Sequence, residues 1–442
     1  MKPNRHALIF STVWPEPQSS AAGVRQMQWV QLLTRDFEKV TVISPAKSKN
    51  HQDWGSVSLP PGVSFFPMPL NRWDQMEELR RLAPELVMFD RFILEEQYGP
   101  LAYEALPDAL FLLETQDLHF IRRDREAGRE TGWQAGWQQN EAASSAGPLS
   151  DTALRELAAI ERVDHAFVVS SFEEWTLRER FGLGAEVHSW EPFFYEPAVM
   201  SQTDSTLDFE ERFGFVWIGN FRHAPNADAL RWIRREIWPA IRRALPTAEF
   251  RIHGAYPSQE FMQWNHSGHD GIRVVGPVAD LSQVFSKARV NLAPLRFGAG
   301  VKGKILEGFR HGVPAVTTWV GAEGLLPVRT HSGESEADFP GSIGRSVDEL
   351  VREAVRLHED VRGWRDARAR AHQIMNEFYD LKKREAGIRK RIENWLQERR
   401  SGALPRWRSR VMRHSLQNGQ RYFSKWIEEK ERSSNRGSEG PS

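Results

Sequence analysis

One order of elements occurs twice along the 442 residues, with a polar stretch between the two copies. In the first copy a short apolar run, Ala7–Ser11, leads through a loop rich in Pro, Ser, Ala and Gly into a helical pattern at Val24–Thr34. A β-branched run, Val40–Ser44, follows. Strand, glycine-bearing loop, helix, strand is the grammar of a doubly wound α/β unit, because parallel strands need a crossover long enough to hold a helix. The pattern continues through Met76–Leu82 (helix), Leu86–Asp90 (strand), Glu95–Leu106 (helix), Leu110–Thr115 (strand), Leu154–Arg162 (helix) and His165–Ser170 (strand). It restarts with a strand at Phe215–Gly219 and a helix at Asn226–Ala244, for which Asn226 is the expected N-cap. Strands at Glu249–Gly254, Ile272–Val275, Val290–Pro294 and Ala315–Thr318 then alternate with helices at Leu281–Lys287 and Ile305–His311. From Val347 to Arg399 the chain is charged and helix-periodic, which predicts two or three closing helices with Trp364 and Trp395 as apolar anchors.

These shifts give the expected domain limits. Residues 1–200 form one α/β domain and 201–370 a second. A helix over 371–402 packs back on the first domain, and 403–442 is a basic, aromatic segment with a disordered tail. Gly128–Ser150 is polar and poor in large aliphatics, which reads as a weakly structured surface insertion. Ser201–Leu207 reads as the interdomain linker.

Composition excludes several classes. Basic and acidic residues balance at 59 each, so no whole-chain charge attracts nucleic acid, and there is no cysteine for a disulfide, thiolate metal site or catalytic thiol. The apolar run at the start stops at Trp14-Pro15, too soon for a secretory signal or a membrane span, and the chain is expected to be cytoplasmic.

The most informative stretch is APLRFGAGVKGKILEGFRHGVPAVTT, Ala293 to Thr318. A strand runs into a glycine-rich loop and directly into a helix opening near Gly303. Gly298, Gly300 and Gly303 let the backbone approach a ligand, the helix start offers unpaired amides, and Lys302 and Lys304 add positive charge. That chemistry suits a pyrophosphate, and Glu307, one turn on, could accept bonds from a sugar's vicinal hydroxyls. The residues alone also fit a tight turn carrying solvated lysines. The spacing is not that of a Walker loop, and no Gly-x-Gly-x-x-Gly turn follows the first strand, which disfavours an ATPase and a hydride-transfer enzyme. A second strand end, FVWIGNFRHAPNADAL, places Gly219, Asn220, Arg222 and His223 before a helix, with Arg222 as a phosphate partner or an exposed loop arginine.

Together these two loops resemble the C-terminal domain of a GT-B glycosyltransferase of glycosyltransferase family 4, the group 1 glycosyl transferases. The likeness covers about Val216 to Leu325. The first half resembles the family's N-terminal domain through the Ala21–Arg25 loop, LLETQDLH and LAAIERVDHAFVVSSFE. The resemblance implies two Rossmann-like domains facing a cleft, a nucleotide-sugar in the C-terminal domain and an acceptor in the N-terminal one. It implies transfer of a hexose with retained anomeric configuration, with no cofactor and no obligatory metal. The family's ribose-binding glutamate falls on Glu307, its phosphate-binding basic residues on Arg222 and Lys302, and its N-domain glycine loop on Ala22-Gly23. The base falls near Pro277–Val278.

Two positions depart from the family pattern. Ala299 stands where the first glutamate of the Glu, seven residues, Glu motif belongs, and Gln116 stands where the N-domain histidine belongs. His119 is the substitute candidate, with Asp117 beside it to orient an acceptor hydroxyl, and a satisfied loop histidine is the alternative. Glu114 and the arginines Arg122, Arg123 and Arg125 carry less weight. Ala299 also leaves open a catalytically silent nucleotide-sugar binding protein. The expected partners are a nucleotide-sugar with UDP or GDP, and a glycan or lipid-linked acceptor. The mixed basic and apolar character of 403–427 adds a peripheral contact with the inner face of a membrane, or a membrane-peripheral scaffold.

Overall fold

A computed structural model describes residues 5–12, 14, 21–46, 59–70, 73–127, 149–192, 195, 208–266, 270–278, 280–327 and 338–419. The expected linker at 201–207, most of the 128–150 insertion and the tail beyond 419 lie outside these residues.

Two parallel sheets carry the two domains. In the first, strands β1 (His6–Phe10), β2 (Lys39–Ser44), β3 (Val63–Pro67), β4 (Leu86–Asp90), β5 (Leu110–Glu114), β6 (His165–Val168) and β7 (His188–Trp190) lie in the order β3-β2-β1-β4-β5-β6-β7. The second holds β8 (Phe213–Ile218), β9 (Phe250–His253), β10 (Ile272–Gly276), β11 (Ala288–Ala293), β12 (Ala315–Thr317) and β13 (Gly341–Ile343) in the order β10-β9-β8-β11-β12-β13. In each sheet the order reverses beside the first strand of the domain, and the crevice beyond the strand C-termini there is where such folds bind ligands. Every residue of β1, β4 and β5 is buried, as expected of strands covered by helices on both faces.

Several boundaries differ from expectation. The first helix spans Ala21–Leu33, three residues earlier than its apolar pattern begins, so Ala21, Ala22 and Gly23 form its first turn. The helix after β8 starts at Ala224 with His223 as N-cap, not at Asn226. Asn226 sits inside the first turn and sends its Nδ2 to Asn220 O at 2.9 Å. That helix passes through a π turn, Ile233–Ile237, before Trp238–Ala244; Pro239 has no N–H to give to the preceding turn, a recognised cause of such a break.

The domain boundary expected at 370–371 falls inside a single helix. Val361–Phe378 is continuous, and its Trp364, Ala367, Ala371, Ile374 and Met375 are buried. All but Trp364 belong to the second domain's core cluster. The chain returns to the first domain at Tyr379–Leu381, where Tyr195 N donates to Tyr379 O at 2.8 Å and Leu381 N to Tyr195 O at 2.9 Å. The Leu381–Arg400 helix then buries Ile388, Ile392 and Leu396 in the first domain's core, with Trp395 stacked 4.1 Å from the His165 ring. A further helix over 407–419 continues on the same domain. Among the described residues no helix is long and apolar enough to cross a membrane.

Candidate active site

The two domains meet along the C-terminal ends of their strands. On the second domain, β11 feeds the 294–302 loop and the Gly303–Arg310 helix. Asn291, buried on β11, ties the helix down through Nδ2 to Lys304 O at 3.0 Å. Gly300 has φ +65°, and a Cβ there would stand 3.0 Å from Asp117 Cβ and 3.2 Å from Gln116 O. Glycine is therefore needed both for the backbone and for the close approach of the other domain. A Cβ on Gly303 would lie 3.5 Å from Ala21 Cβ. The N-termini of the Ala21–Leu33 and Gly303–Arg310 helices thus face each other across the cleft, and buried Gly23 sits in the first of them. Two helix starts bring two sets of amides and two positive dipole ends to one place.

Lysines surround that place. Lys302 is buried at the helix N-cap and its Nζ donates to Gly300 O at 2.8 Å. Lys304 Nζ donates to Asn226 Oδ1 and lies 4.4 Å above the Trp217 ring. Burial, and then the charge of Lys302, hold the Lys304 ammonium pKa down at about 7. Glu307 stands one turn further on and accepts from Arg310 Nη1 at 3.3 Å and His311 Nε2 at 3.2 Å. Gly219 follows β8 and packs against Asn226, with a would-be Cβ 2.8 Å from Asn226 Nδ2. Val278 is half-buried just beyond β10.

Arg222 is exposed, and its guanidinium lies 4.2 Å over the Tyr256 ring. Its neighbour His223 is the residue of this loop that feels the facing domain. Although the residue keeps an exposed edge, partial burial, and then the charges of Lys304 and Arg122, hold its pKa down at about 4. The sequence reading chose Arg222 of the two as the phosphate partner and assigned His223 no role.

On the first domain the turn after β5 carries the candidates. Gln116 has φ +64° and sends Nε2 to Asp90 Oδ1 at 2.7 Å. Asp117 is buried, with Oδ1 3.2 Å from His119 Nε2 and Oδ2 bonded to Arg122. Burial alone would raise its carboxyl pKa, but the His119 contact and the Arg122 and Arg91 charges bring it below the usual carboxylate value. Asp117 is therefore a fixed negative charge in the cleft wall. His119 is buried at the start of the His119–Ala127 helix, its ring edge against Phe92. Glu114 does not face the cleft. It lies under the turn, 3.1 Å from Arg25 Nη2 and bonded to Trp29 Nε1. Of the three arginines, Arg122 holds Asp117 and Arg123 donates to Thr152 Oγ1 at 2.6 Å. Arg125 crosses between domains, gripping Glu323 at 2.8 and 2.7 Å and Gly298 O at 3.0 Å.

Two buried carboxylates that the sequence reading did not single out hold the turn in place. Glu156 accepts from His119 N at 3.0 Å and Phe120 N at 3.1 Å. Glu173 accepts from Leu118 N at 2.7 Å and from Gly300 N at 3.0 Å. The amide of Gly300, expected to face a phosphate, is thus engaged by the facing domain. The Ser170–Glu173 spacing at a helix start was a visible cue to a cap, and Ser170 does accept from Glu173 N. Nothing in that spacing pointed to a partner in the other domain. Among the described residues no cluster of His, Asp and Glu is arranged to hold a metal ion.

Comparison with known proteins agrees with this architecture. Residues 212–360 match the family model described as glycosyl transferases group 1. No curated protein sequence matches the chain. Among solved structures, the pneumococcal O-GlcNAc transferase GtfA, in complex with UDP and GlcNAc, superposes with a TM-score of 0.64 at 12% identity, covering 89% of this chain and 99% of that one. HepE of Anabaena, in complex with UDP and glucose, gives 0.59 at 13% identity over 88% and 100%. Sucrose-phosphate synthase of Thermosynechococcus elongatus gives 0.59 at 15% identity over 89% and 99%. The chain has the GT-B fold, and its second domain carries the sequence pattern of the group 1 glycosyl transferases.

Proposed function

We propose that this protein is a retaining, metal-independent glycosyltransferase that moves a hexose from a UDP-sugar to a hydroxyl of a glycan or lipid-linked acceptor. The observation that carries the reading is the convergence of two helix N-termini with Lys302 and Lys304 at one point of the cleft. Breaking the bond between sugar and nucleotide builds negative charge on the departing phosphate, and donors already aimed there stabilise that charge as it develops. In this reading Glu307 holds the ribose. Asp117 and His119, on the facing wall, orient the acceptor hydroxyl. UDP is preferred over GDP because GtfA and HepE were solved with UDP. Since Gly300 packs on Asp117, the walls must separate to admit the donor, and their closure excludes water.

Calorimetry and thermal unfolding with UDP, GDP and ADP test the donor side. At 100 times its Kd a ligand adds about 2.7 kcal/mol of stability. UDP should bind, and Lys302→Glu should abolish the binding; a chain that binds no nucleoside diphosphate ends this reading. Mass spectrometry of products then separates an enzyme from a silent binding protein, the alternative that Ala299 keeps open.

The helix over 407–419 favours an acceptor held at a membrane. Residues 403–427 contain six Lys or Arg and no Asp or Glu. Arg406 and Arg413 are used to fasten the segment to the first domain, through Asp164 O at 2.7 Å and Asp164 Oδ1 at 2.9 Å. Trp407 (70% exposed) and Val411 (59%) remain outside with Arg408 and Arg410. Flotation with phosphatidylglycerol vesicles should recover the protein, and the Trp407→Ser, Val411→Ser double variant should lose most of that recovery. Equal flotation of the two would remove the membrane from the scheme.

A further inference from the structure

Glu173 belongs to the first domain, at the third position of the Ser171–Phe181 helix, and is 1% exposed. One of its oxygens, Oε1, accepts from Leu118 N in the turn that carries Asp117 and His119, and from Gly300 N in the loop that carries Lys302. The other, Oε2, is buried without a hydrogen-bond partner. Among the described residues no salt bridge reaches this carboxyl, although the Arg125 charge is felt by it. Asp117 presses on it with like charge, while Lys302 attracts it from the far wall. Burial first, and then Asp117, raise its pKa to about 8, so at neutral pH it is mostly a neutral acid with its bridging oxygen still free to accept.

A solvent-exposed hydrogen bond between domains would exchange readily with water. Here one atom, shielded from water, satisfies a backbone amide on each side, and both amides lose their partner together if it goes. We propose that Glu173 is a positioning residue for the transfer reaction: its single bridging oxygen sets the register between the acceptor turn and the donor loop, so that Asp117 and Lys302 act on the same substrate. This deepens the proposed glycosyltransferase reading and rests on it for its kinetic consequence. The bridge itself is a property of the free protein.

The test has two arms. Hydrogen exchange on the protein without ligand should show Leu118 and Gly300 amides protected in the wild type. Both should be deprotected in Glu173→Ala and protected again in Glu173→Gln, whose carbonyl keeps the acceptor without a charge. In the kinetic arm, UDP binding and turnover of UDP-glucose or UDP-N-acetylglucosamine are measured on the same proteins. Glu173→Ala should bind UDP within about threefold of wild type yet lose about 10²-fold in kcat, the scale of a small misplacement of reacting groups, and Glu173→Gln should recover most of it. If Glu173→Ala does not fold, Glu173→Asp, too short to reach both amides, carries the same expectations. Exchange that changes at Leu118 alone, a full kcat in Glu173→Ala, a loss lying wholly in UDP affinity, or a Gln variant as impaired as Ala would each overturn the proposal. A wild type that binds UDP and turns over neither sugar overturns the kinetic role and leaves the donor site standing. A wild type that binds no nucleotide ends the broader reading, and the exchange arm still decides whether the bridge exists.

Discussion

The two walls of the cleft are built on opposite plans. The wall of the second domain is glycine, lysine and helix start, with Lys302 and Lys304 resting on acceptors within their own domain, Gly300 O and Asn226 Oδ1. The wall of the first domain is a turn whose amides are taken by buried carboxylates and whose one cleft-facing acid, Asp117, is held by Arg122 and His119. On the proposed reading, a positive site assembled from backbone amides and a few cations suits any nucleoside diphosphate. On the same reading, a turn fixed by carboxyl groups from two separate helices suits one acceptor geometry. The difference teaches that generic binding chemistry is carried locally, whereas the specific half of the site depends on packing between distant segments.

The sharpest way to break this contrast is Lys302→Ala. Losing one preorganised donor to a developing oxyanion typically costs about 2.7–4 kcal/mol, so turnover should fall by roughly two to three orders of magnitude while thermal unfolding stays near the wild type. An unchanged kcat would take Lys302 out of the chemistry. Next in size is Asp117→Asn, which removes the fixed charge but keeps the shape. Turnover should drop by about 10²-fold with the UDP Kd unchanged; a loss of UDP affinity instead would move Asp117 to the donor wall.

The smallest effect is a pH dependence. The Lys304 pKa of about 7 in the folded chain lies below its unfolded value of about 10.4, so burial favours the neutral amine and this residue's contribution to stability improves as pH rises between those values. A bound diphosphate favours the ammonium. UDP binding near pH 8 should therefore take up a fraction of a proton, and affinity should weaken by up to about tenfold from pH 6 to pH 8. Calorimetry in two buffers of different ionisation enthalpy measures the uptake, and none would place Lys304 beyond reach of the phosphates.

How much of this was legible follows the same division. The Gly298–Lys304 run could be read as a strand-to-helix loop because glycines at a strand end and a lysine at a helix start mark that junction. The doubled α/β order could be read because β1, β4 and β5 are buried on both faces and so appear as unbroken apolar runs. Strands β3, β7 and β13 escaped, and all three are sheet edges, two of them only three residues long and none fully buried. The first turn of the Ala21–Leu33 helix escaped because it faces the cleft and carries no apolar period. Glu173 and Glu156 were hidden for another reason. Each acts on backbone amides far away in sequence, 127 residues in the case of Glu173 and Gly300, and a local pattern holds no record of that.

The return of the chain at Tyr379–Leu381 matters for anyone who wants the halves apart. A fragment cut in the polar stretch after residue 200 would look complete by composition. It would nonetheless lack Ile388, Ile392 and Leu396, which fill part of its core, and would present a bare oily strip to solvent. The second domain can be severed with one cut on each side, but its companion has to be sewn together from both ends of the polypeptide.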